Sequence, residues 1–242
     1  MESVTVTAGG CPLDVLLSKQ RSSGPAVLLL HGFPDSRHLW DLQAHVIGHD
    51  WGAALAWFMA MKAPSRVDKL VVLSVGHAGA LFGGGGMRQR QRSWYMLWFV
   101  SQPPPAIEEQ LKANNWALFR ELFPVSSGDQ EQYIKALGRP GALAEAVKIY
   151  HHNVRPESFG TTRFLPFPRL GMEVMGVWSS GDPALTEAQM AESARYVQPG
   201  KWRYERIEGA GHWIPRDAPE QLNRLLLDFL GTPHHSAAPA RL

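Results

Sequence analysis

Gly48-His49-Asp50-Trp51-Gly52 is entered from the apolar run Ala44-His45-Val46-Ile47 and continues into Ala53-Ala54-Leu55-Ala56-Trp57-Phe58. The pattern predicts a strand that turns sharply into a helix, with small residues flanking one reactive side chain. It is the nucleophile-elbow pattern G-x-S-x-G with Asp50 in the serine position. Glycines on both sides let backbone crowd backbone, so the central side chain is pushed out above the sheet edge. A carboxylate there suits displacement at a saturated carbon better than attack on an amide or ester carbonyl.

The 242 residues suffice for one large domain or a domain with an insertion. Apolar residues make up 45% and charged residues 19%, an ordinary globular balance. A net charge of +2 gives no argument for nucleic acid or an anionic membrane. Nine Trp and ten Phe fit an apolar ligand cavity or simply a core. Cys11 stands alone, so no intrachain disulfide forms. Met1-Glu2-Ser3-Val4-Thr5 lacks the basic and apolar regions of a signal peptide, and no apolar run would span a bilayer. The expectation is a soluble, cytoplasmic protein. The final Ala240-Arg241-Leu242 is a relaxed form of the S-K-L address, which would mean peroxisomes in a eukaryote.

Around the elbow the rhythm is α/β. Ser3-Val-Thr-Val-Thr alternates, Gly9-Gly10 turns, and Leu13-Asp-Val-Leu-Leu returns, which predicts a hairpin. Ala26 to Leu30 and Leu70 to Val75 are short apolar runs typical of buried parallel strands. Between the first of these and the elbow, Asp35 or Ser36 is placed to cap a short helix with Leu39, Trp40 and Leu42. Pro64 stops the elbow helix. Gly83 to Gly86 reads as a flexible break, and Met87-Arg-Gln-Arg-Gln-Arg92 as the solvated start of a helical region reaching Tyr150. Gly138 to Gly141 divides two of its helices. Strands then return at Val174 to Trp178 and Trp202 to Ile207, with Thr186-Glu-Ala-Gln189 as a capping box between them. A last helix begins near Pro219, carries Leu222, Leu225, Leu226 and Phe229 on one face, and ends at Gly231. The predicted organisation is a core part at 1–78, a helical cap at 79–165, a second core part at 166–231 and a tail at 232–242.

Ser179-Ser180-Gly181-Asp182-Pro183 follows one predicted strand and Gly209-Ala210-Gly211-His212-Trp213 the next, which brings both loops to the sheet edge that carries Asp50. Nucleophile, acid and histidine thus occur in α/β-hydrolase order. With His31-Gly32-Phe33-Pro34 upstream, the chain resembles the α/β-hydrolase superfamily, and within it the epoxide hydrolases and haloalkane dehalogenases. The resemblance covers nearly the whole chain; Ser93-Trp-Tyr-Met-Leu-Trp98 is similar to part of the family's cap. It implies a mostly parallel sheet with a helical cap insertion. It also implies attack by Asp50 on carbon to form an alkyl-enzyme ester, water activation by His212 with Asp182, and an oxyanion hole from the backbone N–H groups of Phe33 and Trp51. No cofactor or metal is implied, and the adjacent pairs His151-His152 and His234-His235 point different ways on a helix or tail. The implied partner is a small apolar epoxide or halide; the oligomeric state is open.

An epoxide oxygen leaves as an alkoxide and needs a proton donor, which the resemblance assigns to two cap tyrosines. Tyr150 matches the second. Trp98 aligns with the first, and Tyr95, three residues earlier on the same helical face, is the substitute. A halide wants N–H donors instead, and Trp51 suits both substrates. Epoxide opening is the first reading and dehalogenation the second.

The chain departs from the family where Leu42-Gln43 runs straight into Ala44-His45-Val46. One strand-helix unit of several dozen residues is absent, none of them catalytic. Only Phe33 to Gln43 joins the first core strand to the elbow, near the lower limit of about a dozen residues for a parallel crossover. Without the missing strand, the leading hairpin must pair with the Ala26–Leu30 strand or leave an open edge. A truncated, inactive isoform is the third reading.

Overall fold

Alternation of Val and Thr makes β1, Glu2–Ala8, which pairs antiparallel with β2, Cys11–Leu17, so that Val4 lies opposite Val15. The computed structural model describes residues 2–8, 11–17, 28–34, 47–125, 127–160 and 166–231. Among these, the hairpin is a two-stranded sheet of its own and does not pair with Leu28–Leu30. The second sheet is parallel throughout, in the order β3 (Gly48–His49), β4 (Lys69–Leu73), β5 (Glu173–Ser179), β6 (Trp202–Ile207).

The strand expected to end at Leu30 contributes, in its described part, one parallel bridge from Leu30 to Gly48. Leu30 N donates to Ile47 O at 3.0 Å and His49 N to Leu30 O at 3.1 Å. The elbow strand is correspondingly short. The predicted cap at Asp35 or Ser36, the helix with Leu39, Trp40 and Leu42, the junction at Gln43 and the tail, including Ala240-Arg241-Leu242, lie outside the described residues.

The elbow leads into α1, Trp51–Lys62, which ends before Pro64. Its glycines are required by close approach. A Cβ on Gly48 would sit 2.4 Å from Gly52 O, and one on Gly52 would sit 2.2 Å from Leu30 O. Among the described residues, five α-helices intervene between β4 and β5: α2 (Ala78–Arg92), α3 (Trp94–Val100), α4 (Pro104–Leu122), α5 (Ser127–Leu137) and α6 (Ala142–Asn153). Then α7 (Glu187–Ala191) precedes β6, and α8 (Ile214–Asp217) and α9 (Pro219–Gly231) follow it.

Three local expectations are corrected. The break expected over Gly83 to Gly86 narrows to one residue: two helical stretches of α2 meet at a kink at Gly86, which sits at φ 60°, ψ −153°. Packing accounts for a glycine before it, because α2 lies so close to the Glu192 turn that a Cβ on Gly84 would meet Glu192 Cβ at 2.7 Å. The basic run does open the helical stretch after this kink, but it is not solvated throughout: Met87, Arg88 and Gln91 are exposed while Gln89 is fully buried. Thr186 is the N-cap of α7 but makes no capping bond; its hydroxyl donates to Gln89 Oε1 at 3.0 Å, and Gln189 turns into the core.

Period-two alternation distributes the sheet's side chains between two apolar clusters. Leu70, Val72, Val174 and Trp178 face Ala53, Ala56, Trp57 and Ala60 of α1. Val71, Leu73, Met175 and Val177 face Leu222, Leu226 and Phe229 of α9. That second cluster continues without interruption into Phe99, Ile107, Leu111, Phe119, Leu143, Val147 and Tyr150, so the inserted helices share a core with the sheet.

Candidate active site

The carboxyl ends of β3, β5 and β6 carry Asp50, Asp182 and His212 to one place. Asp50 sits at φ 54°, ψ −123°, the strained backbone expected of an elbow. Its Oδ1 accepts from Phe33 N at 3.0 Å, and the Trp51 backbone N–H also points to the carboxylate. Asp182 Oδ2 accepts from His212 Nδ1 at 2.8 Å, while its Oδ1 accepts from the backbone N–H groups of Ala184 (2.8 Å) and Leu185 (2.9 Å). The Asp182 contact fixes the tautomer and leaves His212 Nε2 facing Asp50 Oδ2 at 3.6 Å.

The loops that carry Asp182 and His212 are tied to each other. Gly181 N donates to Ala210 O at 2.9 Å, Ser179 Oγ to Gly211 O at 2.5 Å, and Gly211 N to Asp217 Oδ2 at 2.8 Å. Burial disfavours the Asp50 anion, but the adjacent His212 outweighs it and holds the carboxyl below its usual range. Burial likewise opposes the His212 cation, yet Asp182 first and Asp50 second raise it well above the ordinary imidazole value. The result is a buried acid–imidazole–acid array with Asp50 ionised.

Phe33, Asp50, Tyr95, Leu122, Phe123, Tyr150, Pro183, Ala184, His212 and Trp213 line a cavity over this array. The rings of Tyr95 and Tyr150 lie 6.1 Å apart, and Tyr150 meets Trp51 edge-on at 5.2 Å and Phe33 at 5.6 Å. Burial raises both phenols above their ordinary range, and the Asp50 charge adds to it. They therefore stay protonated as hydrogen-bond donors. A second, open groove at the amino ends of β4 to β6, lined by Pro64, Asp68, Glu173 and Lys201 among others, contains none of these groups.

Trp98, aligned at the first cap position, is not in the cavity wall. Its ring packs on Trp94 at 6.5 Å and Phe99 at 5.2 Å, and Tyr95 takes the inward place. Trp51 contributes through its backbone N–H and its contact with Tyr150 rather than by lining the cavity.

Sequence reasoning missed three supporting contacts. His49 is buried behind the elbow and donates from Nε2 to His212 O at 2.9 Å; Ser74 Oγ donates to the same oxygen at 3.1 Å. Burial, reinforced by the His212 charge, pushes His49 down to about 4, so it stays neutral beside its partner. Arg92 Nη1 donates to Asp182 O (2.9 Å) and Leu185 O (2.7 Å). The i, i+3 spacing of Gln89 and Arg92 was the available signal, hidden by the charge run around it. Among the described residues, no group of three or more His, Cys, Asp or Glu side chains is arranged to hold a metal ion. No helix among them is long and apolar enough to cross a membrane.

Comparison with known proteins bears on the fold and the family. Epoxide hydrolase 3 of Mus musculus is 23% identical over 287 aligned residues, covering 88% of this chain and 72% of that protein. AB hydrolase superfamily protein YfhM of Bacillus subtilis is 27% identical over 285 residues, covering 93% and 96%. These aligned lengths exceed the 242-residue chain, so the relatives carry residues that this one lacks. A solved epoxide hydrolase from hot-environment metagenomes superposes with a TM-score of 0.78 at 19% identity, covering 95% of this chain and 98% of that one. An inhibitor complex of a Bacillus megaterium epoxide hydrolase gives 0.69 at 19%, covering 84% and 92%. At such identities the superpositions speak for the fold. The family model described as alpha/beta hydrolase fold matches residues 41–219, and the chain belongs to that family.

Proposed function

We propose that this protein opens a small apolar epoxide to a diol, without a cofactor, through an ester on Asp50. The observation that carries this reading is the pair of buried, protonated phenols, Tyr95 and Tyr150, in one cavity with Asp50 and His212. A halide needs no proton, so two donors over the nucleophile favour an oxygen leaving group. The names of the relatives in mouse and Bacillus megaterium support the same chemistry.

In the first step Asp50 Oδ2 attacks an epoxide carbon, the C–O bond breaks, and a tyrosine hydroxyl protonates the departing alkoxide. The phenolate regains its proton from solvent. In the second step His212 Nε2 takes a proton from water, whose oxygen attacks the Asp50 carboxyl carbon. The backbone N–H groups of Phe33 and Trp51 hold the developing oxyanion; on collapse His212 returns its proton to the departing alkoxide, which leaves as the diol, and the Asp50 carboxyl gives its remaining proton to solvent to restore the carboxylate. Residues 79–165 act as the cap that delivers the phenols and closes the cavity.

The test is incubation with aryl and aliphatic epoxides. Expected are diol, a substrate-mass adduct on the Asp50 peptide, and, in heavy-oxygen water, label entering Asp50 before the diol. A folded sample giving neither diol nor adduct, and behaving like Asp50→Asn, would reject the proposal and favour an inactive isoform. Halide release from haloalkanes without diol from epoxides would reassign the same triad to dehalogenation.

A further inference from the structure

The Asp182 loop is gripped from one side by a single turn of α2. Gln89 is fully buried and its amide uses every hydrogen-bonding position. Nε2 donates to Ala184 O and Ser93 Oγ, both at 3.0 Å, and Oε1 accepts from Thr186 N at 2.8 Å and Thr186 Oγ1 at 3.0 Å. One residue-turn later, Arg92 Nη1 spans the carbonyls of Asp182 and Leu185, and Trp178 Nε1 reinforces the latter at 3.1 Å.

Connectivity gives this grip a chemical meaning. Ala184 O and Leu185 N belong to one peptide unit. Its carbonyl receives Gln89, and its N–H donates to Asp182 Oδ1. Leu185 O and Thr186 N belong to the next unit. Its carbonyl receives Arg92, and its N–H donates to Gln89. Hydrogen bonds therefore run in series from Gln89 through a peptide to Asp182 and on to His212 Nδ1, and each polarises the next. Pro183 and Ala184, held by the same contacts, form part of the cavity wall.

We infer that Gln89 and Arg92 are positioning residues for water activation: the first helix of the inserted region sets the Asp182 carboxylate, and through it the His212 imidazole. The inference rests on the epoxide-opening reading. Asp50 takes hydrogen bonds from Phe33 N and Trp51 N, which do not involve α2, and meets the α2-supported pair only through His212 Nε2 at 3.6 Å, so the ester-forming step depends on these residues less than ester hydrolysis does. Loss of the grip slows ester hydrolysis selectively, and the alkyl-enzyme accumulates.

The experiment compares Arg92→Met, Arg92→Lys and Gln89→Met with the unaltered protein, each corrected for folded fraction. Single-turnover mass spectrometry of the Asp50 peptide separates formation from hydrolysis of the ester. Hydrolysis should fall roughly 10- to 100-fold in Arg92→Met and Gln89→Met, as expected of a sub-ångström misplacement, with formation changed by less than about threefold. Arg92→Lys, which reaches one carbonyl where arginine reaches two, should fall between. In ligand-free protein, the low-field Nδ1–H proton resonance of His212 should shift or broaden in the two Met variants. Equal slowing of both steps, with that resonance unmoved, overturns the inference. If the unaltered protein forms neither ester nor diol, the epoxide reading fails, and the resonance alone decides whether α2 positions the pair.

Discussion

Replacing Gly32 by alanine tests the closest approach in the site. A Cβ there would lie 2.3 Å from Asp50 Oδ1, 2.4 Å from its Cβ and 2.7 Å from its Cγ, where real Cβ contacts keep at least 3.0 Å. The carboxylate or the Gly32 backbone must retreat by about 0.7 Å, since crowding in a packed interior is relieved by displacement. Either movement spoils the 3.0 Å bond from Phe33 N to Oδ1. A hydrogen bond to a charged group contributes about 1.5–3 kcal/mol. Lost from the reacting geometry, it corresponds to roughly a 10- to 100-fold slower ester formation on Asp50. Overpacking also costs about 1–3 kcal/mol of stability, a fall of about 2–10 °C in Tm for a domain of this size. The assay is single-turnover formation of the Asp50 adduct, run well below the transition. Gly160→Ala, where an added Cβ meets nothing within 4 Å, is the control and should match the unaltered protein. Ester formation by folded Gly32→Ala within about threefold of that control would refute the argument.

Removing one phenol by Tyr95→Phe or Tyr150→Phe should slow ester formation roughly 10- to 100-fold, and the double variant should lose more, as expected of a missing general acid. Single variants at the unaltered rate would remove the phenols from the mechanism. Because Asp50 helps to raise His212, neutralising it should lower the imidazole. An NMR titration should therefore find His212 more acidic in Asp50→Asn, and the hydrolysis rate of the ester should rise with pH through that lowered value. An unchanged titration would contradict the coupling. Burial lowers both His49 and His77 from about 6.5 to about 4, so between these values the unfolded chain binds protons that the folded chain refuses. Stability present above about pH 6.5 should be lost as pH falls towards 4, by up to about 3 kcal/mol per histidine. His212, raised instead, is protonated in both states over that window and does not offset the loss. Urea midpoints should show a flatter acid limb for His77→Gln; an equally steep one would count against this assignment.

Much of the architecture was legible because it rests on local patterns. The glycines of the elbow, the order Asp50, Asp182, His212 and the apolar strands from Leu70, Val174 and Trp202 all appear where the structure puts them. What was not legible depends on tertiary packing. Tyr95 and Trp98 share a helical face, and only contact with Phe99 and Tyr150 turns Tyr95 inward while Trp98 rests on Trp94. Gln89 and Arg92 look like members of a solvated run until the Asp182 loop supplies carbonyls for them. Thr186-x-x-Gln189 matches a capping box in letters, yet Gln189 bonds Gly76 N at 2.6 Å and Ser74 O at 2.8 Å instead of its own helix.

The single row β3-β4-β5-β6 has a consequence for how such a chain tolerates loss. Asp50, Asp182 and His212 all follow strands of this row. Asp50 follows β3, which among the described residues pairs with β4 over only Gly48 and His49, while Asp182 and His212 follow the longer pair β5 and β6. Damage that frays this margin of the sheet would therefore misplace the first carboxylate while leaving the imidazole and its partner tied together.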